Sequence, residues 1–133
     1  MQTEYEKAKS AIEEAHRITI IGHLNPDADA LGTGLGLWWV LKRLGKRVDI
    51  VNMSDPLPQT LSFLPGFEKI KKQLRSDVDL VISVDCGSFD RLGVGRPESA
   101  KLINIDHHRS NTGYGDINLV EPHFVSASET AFK

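Results

Sequence analysis

The sequence holds a single cysteine, Cys86, so no disulfide closes within it, which agrees with a reducing, cytoplasmic setting. No apolar run is long enough to span a membrane, and the first ten residues mix acidic and basic side chains without the apolar centre of a signal peptide. Net charge is small: 16 Lys and Arg against 18 Asp and Glu give −2 at pH 7. That excludes a uniformly basic surface for duplex nucleic acid, but not a local phosphate site, which needs few charges. Internal repeats and low-complexity tracts are also missing. What remains is ordinary: 133 residues, 40% hydrophobic and 26% charged, enough for one globular domain around one core.

The apolar spacing alternates between two periods. Tyr5, Ala8, Ile12 and Ala15 recur on one face of an amphipathic helix over residues 2–16. Residues 17–22 form a short, almost continuously apolar run, the pattern of a strand buried on both faces. A polar loop leads to a helix over 30–44 with Leu31, Leu35, Trp38 and Leu41 on its inner side and a C-cap at Gly45. Glycines within that helix, each costing about 1 kcal/mol relative to alanine, fit a helix that approaches a sheet or ligand closely. Strands follow at 47–52, 78–84, 101–105 and 117–120, with a short helix over 67–74. Alternating strands and helices predict the α/β class, a parallel, doubly wound sheet flanked by helices on both faces.

The chemistry-bearing residues cluster where strands end. His23, Asp27 and Asp29 follow the first strand, Asp85 the third, and Asp106, His107 and His108 the fourth. Open parallel sheets bind ligands outside the carboxyl ends of their strands, so these clusters converge on one rim. Several carboxylates cannot share a small site while ionised unless cations neutralise them. Oxygen ligands mixed with a few imidazoles suit Mn²⁺, Mg²⁺ or Fe²⁺, and two such cations about 3.5–4 Å apart are a common design for phosphoryl transfer. Blander readings compete: Asp27 and Asp29 as helix N-caps, Asp85 as a turn residue, Cys86 as a small half-buried side chain rather than a soft ligand. His16 and His123 read as surface or packing histidines, Trp38 as core, and Trp39 as a residue of a domain or subunit contact. Lys69, Lys71, Lys72 and Arg75 read as a solvated face rather than a nucleic-acid patch.

The motifs Gly22-His23-Leu24-Asn25-Pro26-Asp27-Ala28-Asp29, Val84-Asp85-Cys86-Gly87 and Asn104-Ile105-Asp106-His107-His108 resemble, in this order, the first three motifs of the DHH phosphoesterases. That family includes oligoribonucleases, single-strand exonucleases, manganese pyrophosphatases, exopolyphosphatases and cyclic dinucleotide phosphodiesterases. The resemblance implies two divalent cations, Mn²⁺ foremost with Mg²⁺ or Fe²⁺ as alternatives. It implies that His23 and Asp27 bind one metal, Asp29 and His107 the other, and Asp85 both. His108 then faces the substrate phosphate as a catalytic acid or electrostatic stabiliser beside the catalytic Asp85, Asp106 orients an imidazole, and Arg109 is a phosphate contact. Thr33 stands where many members have serine, near the start of a helix whose N–H groups can face an anion.

Two expected parts are missing. Family members carry a fourth-motif aspartate and a smaller C-terminal domain with a glycine-rich, basic substrate loop; Asp116 and Glu121 come too early for that aspartate. A capping-box pattern at Ser126 to Glu129 announces a helix that the chain ends within. Residues 1–133 are therefore read as a partial N-terminal DHH domain of a longer parent, inactive alone. The parent is expected to hydrolyse short single-stranded RNA or a phosphorylated nucleotide by a two-metal mechanism, and resembles most the branch acting as oligoribonuclease and 3′-phosphoadenosine 5′-phosphate phosphatase. A phosphoanhydride hydrolase, or a metal- or nucleotide-binding module without turnover, is the alternative. No membrane partner is expected, and a homodimer is left open.

Overall fold

The computed structural model describes residues 3–95 and 100–120. The helix expected from Ser126, and with it His123 and Glu121, lies outside the described residues.

Helix α1 (Glu4–Glu14) begins at Thr3, whose hydroxyl accepts the Glu6 N–H at 3.1 Å, and Glu4 and Glu6 place negative charge at the helix's positive end. Strand β1 (Arg17–Gly22), helix α2 (Ala28–Arg43) and strand β2 (Arg47–Val51) follow, then β3 (Leu80–Val84), β4 (Lys101–Asp106) and β5 (Ile117–Val120). The strands pair in parallel in the order β2-β1-β3-β4-β5. The chain therefore starts mid-sheet, steps one way to β2, and then runs the other way from β3 to β5. The direction reverses between β1 and β3, and such a reversal opens a crevice at the strand ends.

The expected α/β class is what the chain adopts. β1 and β3 lie inside the sheet, and Ile18, Ile20, Ile21, Leu80 and Ile82 are essentially inaccessible to solvent, which is why these strands are apolar throughout. Both α-helices pack on the face carrying Ile18, Ile20, Ile50, Leu80 and Ile103. The opposite face, with Ile21, Val51, Val81 and Leu102, is covered among the described residues by connecting segments that contribute Met53, Leu74, Phe89, Leu92 and Tyr114. Right-handed crossovers explain the division: the step from β1 to β2 and the later steps run in opposite directions and so fall on opposite faces. Gly34 marks the close approach of α2 to the sheet, since a Cβ there would sit 3.2 Å from Ile50 Cδ1 and 3.7 Å from Ile20 Cγ2.

One expected element differs. In place of a helix over 67–74 there is a single 3-10 turn, Phe67–Lys69, after which the chain extends. The Lys71 N–H donates to Ile50 O at 2.8 Å and its carbonyl accepts from Asn52 N at 3.0 Å, forming a parallel bridge to Val51. The outer edge of β2 would otherwise carry unpaired backbone groups, and that demand outweighs the local helical pattern. Three basic residues of this segment are paired, Lys71 with Asp49 at 3.1 Å, Lys72 with Asp55 at 2.7 Å and Arg75 with Asp77 at 2.9 Å. Among the described residues no helix is long and apolar enough to cross a membrane.

Candidate metal centre

The loop leaving β1 is held from three sides. Asn52 Nδ2 donates to the His23 carbonyl at 3.0 Å, Ser54 Oγ accepts the Asn25 N–H at 2.6 Å, and the Leu24 N–H donates to Arg91 O at 2.9 Å. His23 Nδ1 lies 2.7 Å from Leu24 O. A carbonyl only accepts, so Nδ1 carries a proton, and Nε2 faces Asp85 Oδ2 at 3.7 Å. Asp27 N-caps α2, with Oδ1 accepting the Ala30 N–H at 2.9 Å. The cap therefore fixes the carboxylate that also stands beside His23 and Asp85. Asp29, in the first turn, accepts from Thr33 Oγ1 at 3.3 Å. Thr33 is buried, and its hydroxyl supports the Asp29 carboxylate.

Asp85 sits at the end of β3 in the left-handed region, φ 54°, a value it shares with Asn25. Among the described residues these are the non-glycine positions with positive φ, and both follow strand ends, Asn25 after β1 and Asp85 after β3. Asp and Asn tolerate this conformation best, yet it persists only where the surroundings enforce it. Asp85 is 3% exposed, and its Oδ1 accepts no hydrogen bond among the described residues. Burial pushes its carboxyl above the ordinary range; His23 counteracts this, and the neighbouring Asp29 and Asp27 charges reinforce it. His23 is raised in turn, chiefly by the Asp85 carboxylate and against its own burial.

The end of β4 brings the third motif to the same place. His107 Nε2 lies 3.3 Å from Asp85 Oδ1 and 3.5 Å from Asp29 Oδ2. His108 Nδ1 lies 2.6 Å from Asp106 Oδ1 and 3.8 Å from Asp85 Oδ1. Asp106 is wholly buried, whereas the His108 side chain is 46% exposed.

Two groups of atoms that could hold a cation result: His23, Asp27 and Asp85, and Asp85, Asp106, His107 and His108, each within 4.8 Å of one another. Asp85 belongs to both. A buried carboxylate oxygen without a donor, faced by imidazoles and further carboxylates, fits a divalent cation of oxygen-and-nitrogen preference. The sets flank the β1/β3 reversal, where this topology places its crevice.

Every residue expected in the metal set, His23, Asp27, Asp29, Asp85 and His107, stands in this cluster. Asp106 holds an imidazole, that of His108, and Arg109 is exposed beside it in the chain. Cys86 is buried, with Sγ donating to Ser88 O at 3.1 Å, as a packing residue would be. His16 is exposed at the far end of the sheet, its N–H donating to Asp79. Sequence reasoning passed over Asn52, Ser54 and Asn111. The first two follow β2 directly, so the strand-end logic that singled out Asp85 would have found them.

A model of the DHH family, N-terminal domain, matches residues 17–133. The chain is 40% identical over 108 residues to the bifunctional oligoribonuclease and PAP phosphatase NrnA of Thermus thermophilus, covering 79% of this chain and 32% of that protein. It is 33% identical to the protein of the same name from Bacillus subtilis, over 84% of this chain and 35% of that one. A probable manganese-dependent inorganic pyrophosphatase of Enterococcus faecalis is 30% identical over 70% of this chain and 32% of its own length. Among solved structures, an exopolyphosphatase-related protein from Bacteroides fragilis superposes with a TM-score of 0.89 at 26% identity, over 99% of this chain and 42% of that one. The chain thus spans about a third of the length of the curated relatives it matches.

Proposed function

The chain belongs to the DHH family, and from that premise we propose that its strand-end cluster holds two divalent cations, Mn²⁺ foremost, and serves a hydrolase acting on phosphoester bonds of short RNA or of phosphorylated nucleotides. The observation that carries this reading is Asp85: a buried carboxylate with an oxygen that accepts no hydrogen bond, standing in both ligand sets. His23 and Asp27 would hold one cation, Asp29 and His107 the other, and Asp85 would serve both. When bound, the cations supply Lewis acidity and neutralise charge on phosphoryl oxygens.

The remaining work falls to the chain's own side chains. Asp106 holds the Nδ1 proton of His108, which leaves the exposed Nε2 edge for substrate. In its imidazolium form that edge donates to a phosphate oxygen and can pass on a proton. Arg109, exposed one residue on, supplies a further cationic contact for phosphate. The two NrnA relatives support the RNA and nucleotide substrate class.

A second reading, phosphoanhydride hydrolysis, draws support from the Enterococcus pyrophosphatase and the Bacteroides neighbour. The test is Mn²⁺-dependent turnover by the protein at full natural length, offered a short oligoribonucleotide, 3′-phosphoadenosine 5′-phosphate and pyrophosphate. Release from the first two is expected. Turnover of pyrophosphate alone would install the second reading, and cation binding without any turnover would make this a binding module.

A further inference from the structure

We infer that Asn111 is a positioning residue whose carboxamide locks the Asp106–His108 pair and ties it to the Asp85 turn. This rests on the cation-site reading for its consequence, though not for its geometry. Asn111 Nδ2 donates to Asp106 Oδ2 at 2.9 Å, the oxygen that His108 does not use. The same nitrogen lies 3.3 Å from the carbonyl of Cys86, the residue after Asp85. One side chain therefore reaches the ends of both β3 and β4.

The orientation of this amide follows from its partners. Asn111 Oδ1 receives the Gly113 N–H at 2.7 Å, and a backbone N–H only donates. Asp106, as a carboxylate, only accepts. The oxygen must therefore face Gly113 and the nitrogen Asp106, and a flipped amide would oppose like groups on both sides. Asn104 Nδ2 donates to Asn111 Oδ1 at 2.8 Å and to Asn118 Oδ1 at 3.0 Å. Asn104 and Asn118 are register partners across β4 and β5, so the amide is braced against the sheet itself. The Thr112 N–H, donating to Gly87 O at 2.9 Å, pins the same loop to the turn after β3.

The consequence concerns His108. Asp106 has no solvent contact, so removing Asn111 would take a donor from a buried carboxylate. Its carboxylate would then turn toward other donors and release the Nδ1 proton of His108. With the Cys86 contact gone as well, the turn that carries Asp85 would lose one of its ties to the loop that follows His107. Residues that orient ligands in this way change metal affinity by about 10–100-fold when removed.

The experiment compares Asn111→Asp with Asn118→Asp. Each keeps the shape and the oxygen that Asn104 uses and removes the donating nitrogen, but only the first touches Asp106. Two readouts apply: the Nδ1–H resonance of His108 in ¹⁵N-histidine-labelled, metal-free protein, and Mn²⁺ affinity by calorimetry. Asn111→Asp should erase the hydrogen-bonded Nδ1–H signal and weaken Mn²⁺ binding by at least about tenfold. Asn118→Asp should leave both unchanged at a comparable loss of melting temperature. Asn111→Ser, read in the same way, replaces Asn111→Asp should the added charge prevent folding. An unchanged His108 signal in the Asn111 variants, or equal changes in Asn118→Asp, would overturn the assignment. Absence of Mn²⁺ binding in the unmodified chain would remove the functional reading, while the His108 resonance would still decide the role of Asn111.

Discussion

Strand β3 carries an aspartate one position beyond each of its ends, and the fold treats the two in opposite ways. Asp79, before Leu80, accepts the His16 and Arg17 N–H groups, both at 2.9 Å, and so fixes the junction between α1 and β1. Burial resists its charge, yet those two donors hold its carboxyl below the ordinary range. Asp85, after Val84, is more deeply buried, meets carboxylates and imidazoles rather than backbone donors, and is raised. At the first end the backbone satisfies the charge; at the second the chain gathers further acids around it. A fold that stabilises one carboxylate with two amide groups and leaves the other without them fits the proposal that the second serves a cation.

The comparison can be broken in order of expected effect. Asp85→Asn should weaken Mn²⁺ binding more than about 100-fold, beyond the range seen for residues that only orient ligands, because both ligand sets lose a member. Its metal-free stability in urea should be no lower than that of the unmodified chain. Asp79→Ala should do the reverse, costing about 2 kcal/mol of unfolding free energy through two lost charge-assisted hydrogen bonds, with cation affinity intact.

Acid titration of metal-free protein should then separate the two by sign. The folded value of Asp79 lies below its unfolded one, so its contribution is complete above about pH 4 and fades as pH falls through the folded value. The folded value of Asp85 lies above its unfolded one, so its ionisation lowers stability at neutral pH, and that loss is relieved as pH falls toward about 4. Urea midpoints measured against pH in a chelator should show the advantage of Asp85→Asn shrinking on acidification, while the deficit of Asp79→Ala shrinks only below that range. Parallel curves for the two variants would contradict the contrast. The smallest effect is expected from Asn52→Ala, which frees the His23 carbonyl. It should reduce affinity for one cation by up to about tenfold and leave the other, readable as a split in a two-site calorimetric isotherm.

Much of this was legible in the sequence, for identifiable reasons. The apolar run at 17–22 and the alternation of periods fix a parallel sheet, and a parallel sheet sends the residues after β1, β3 and β4 to one rim. That places His23, Asp27, Asp29, Asp85 and His107 together without any knowledge of side-chain conformation. The readings of Asp27 as cap and as candidate ligand are compatible, since the carboxylate that caps α2 also stands beside His23 and Asp85. Less could be read where tertiary demand overrides local pattern. Residues 67–74 look helical in isolation, but the unpaired edge of β2 draws Lys71 into a bridge. Asn111 sits in a polar stretch indistinguishable from an ordinary loop, and its importance arises only because the end of β3 lies beside it. The bond from the Thr33 hydroxyl to Asp29 was likewise illegible, because a sequence shows nearness to a helix start, not which way a hydroxyl turns.

The central claim, that Asp85 is the shared ligand of two cations, is tested most directly by calorimetric titration of the 133-residue chain and its Asp85→Asn variant with Mn²⁺. The account predicts two bound cations for the unmodified chain and loss of binding in the variant. Equal binding by both proteins, or a single cation unaffected by the substitution, would contradict it.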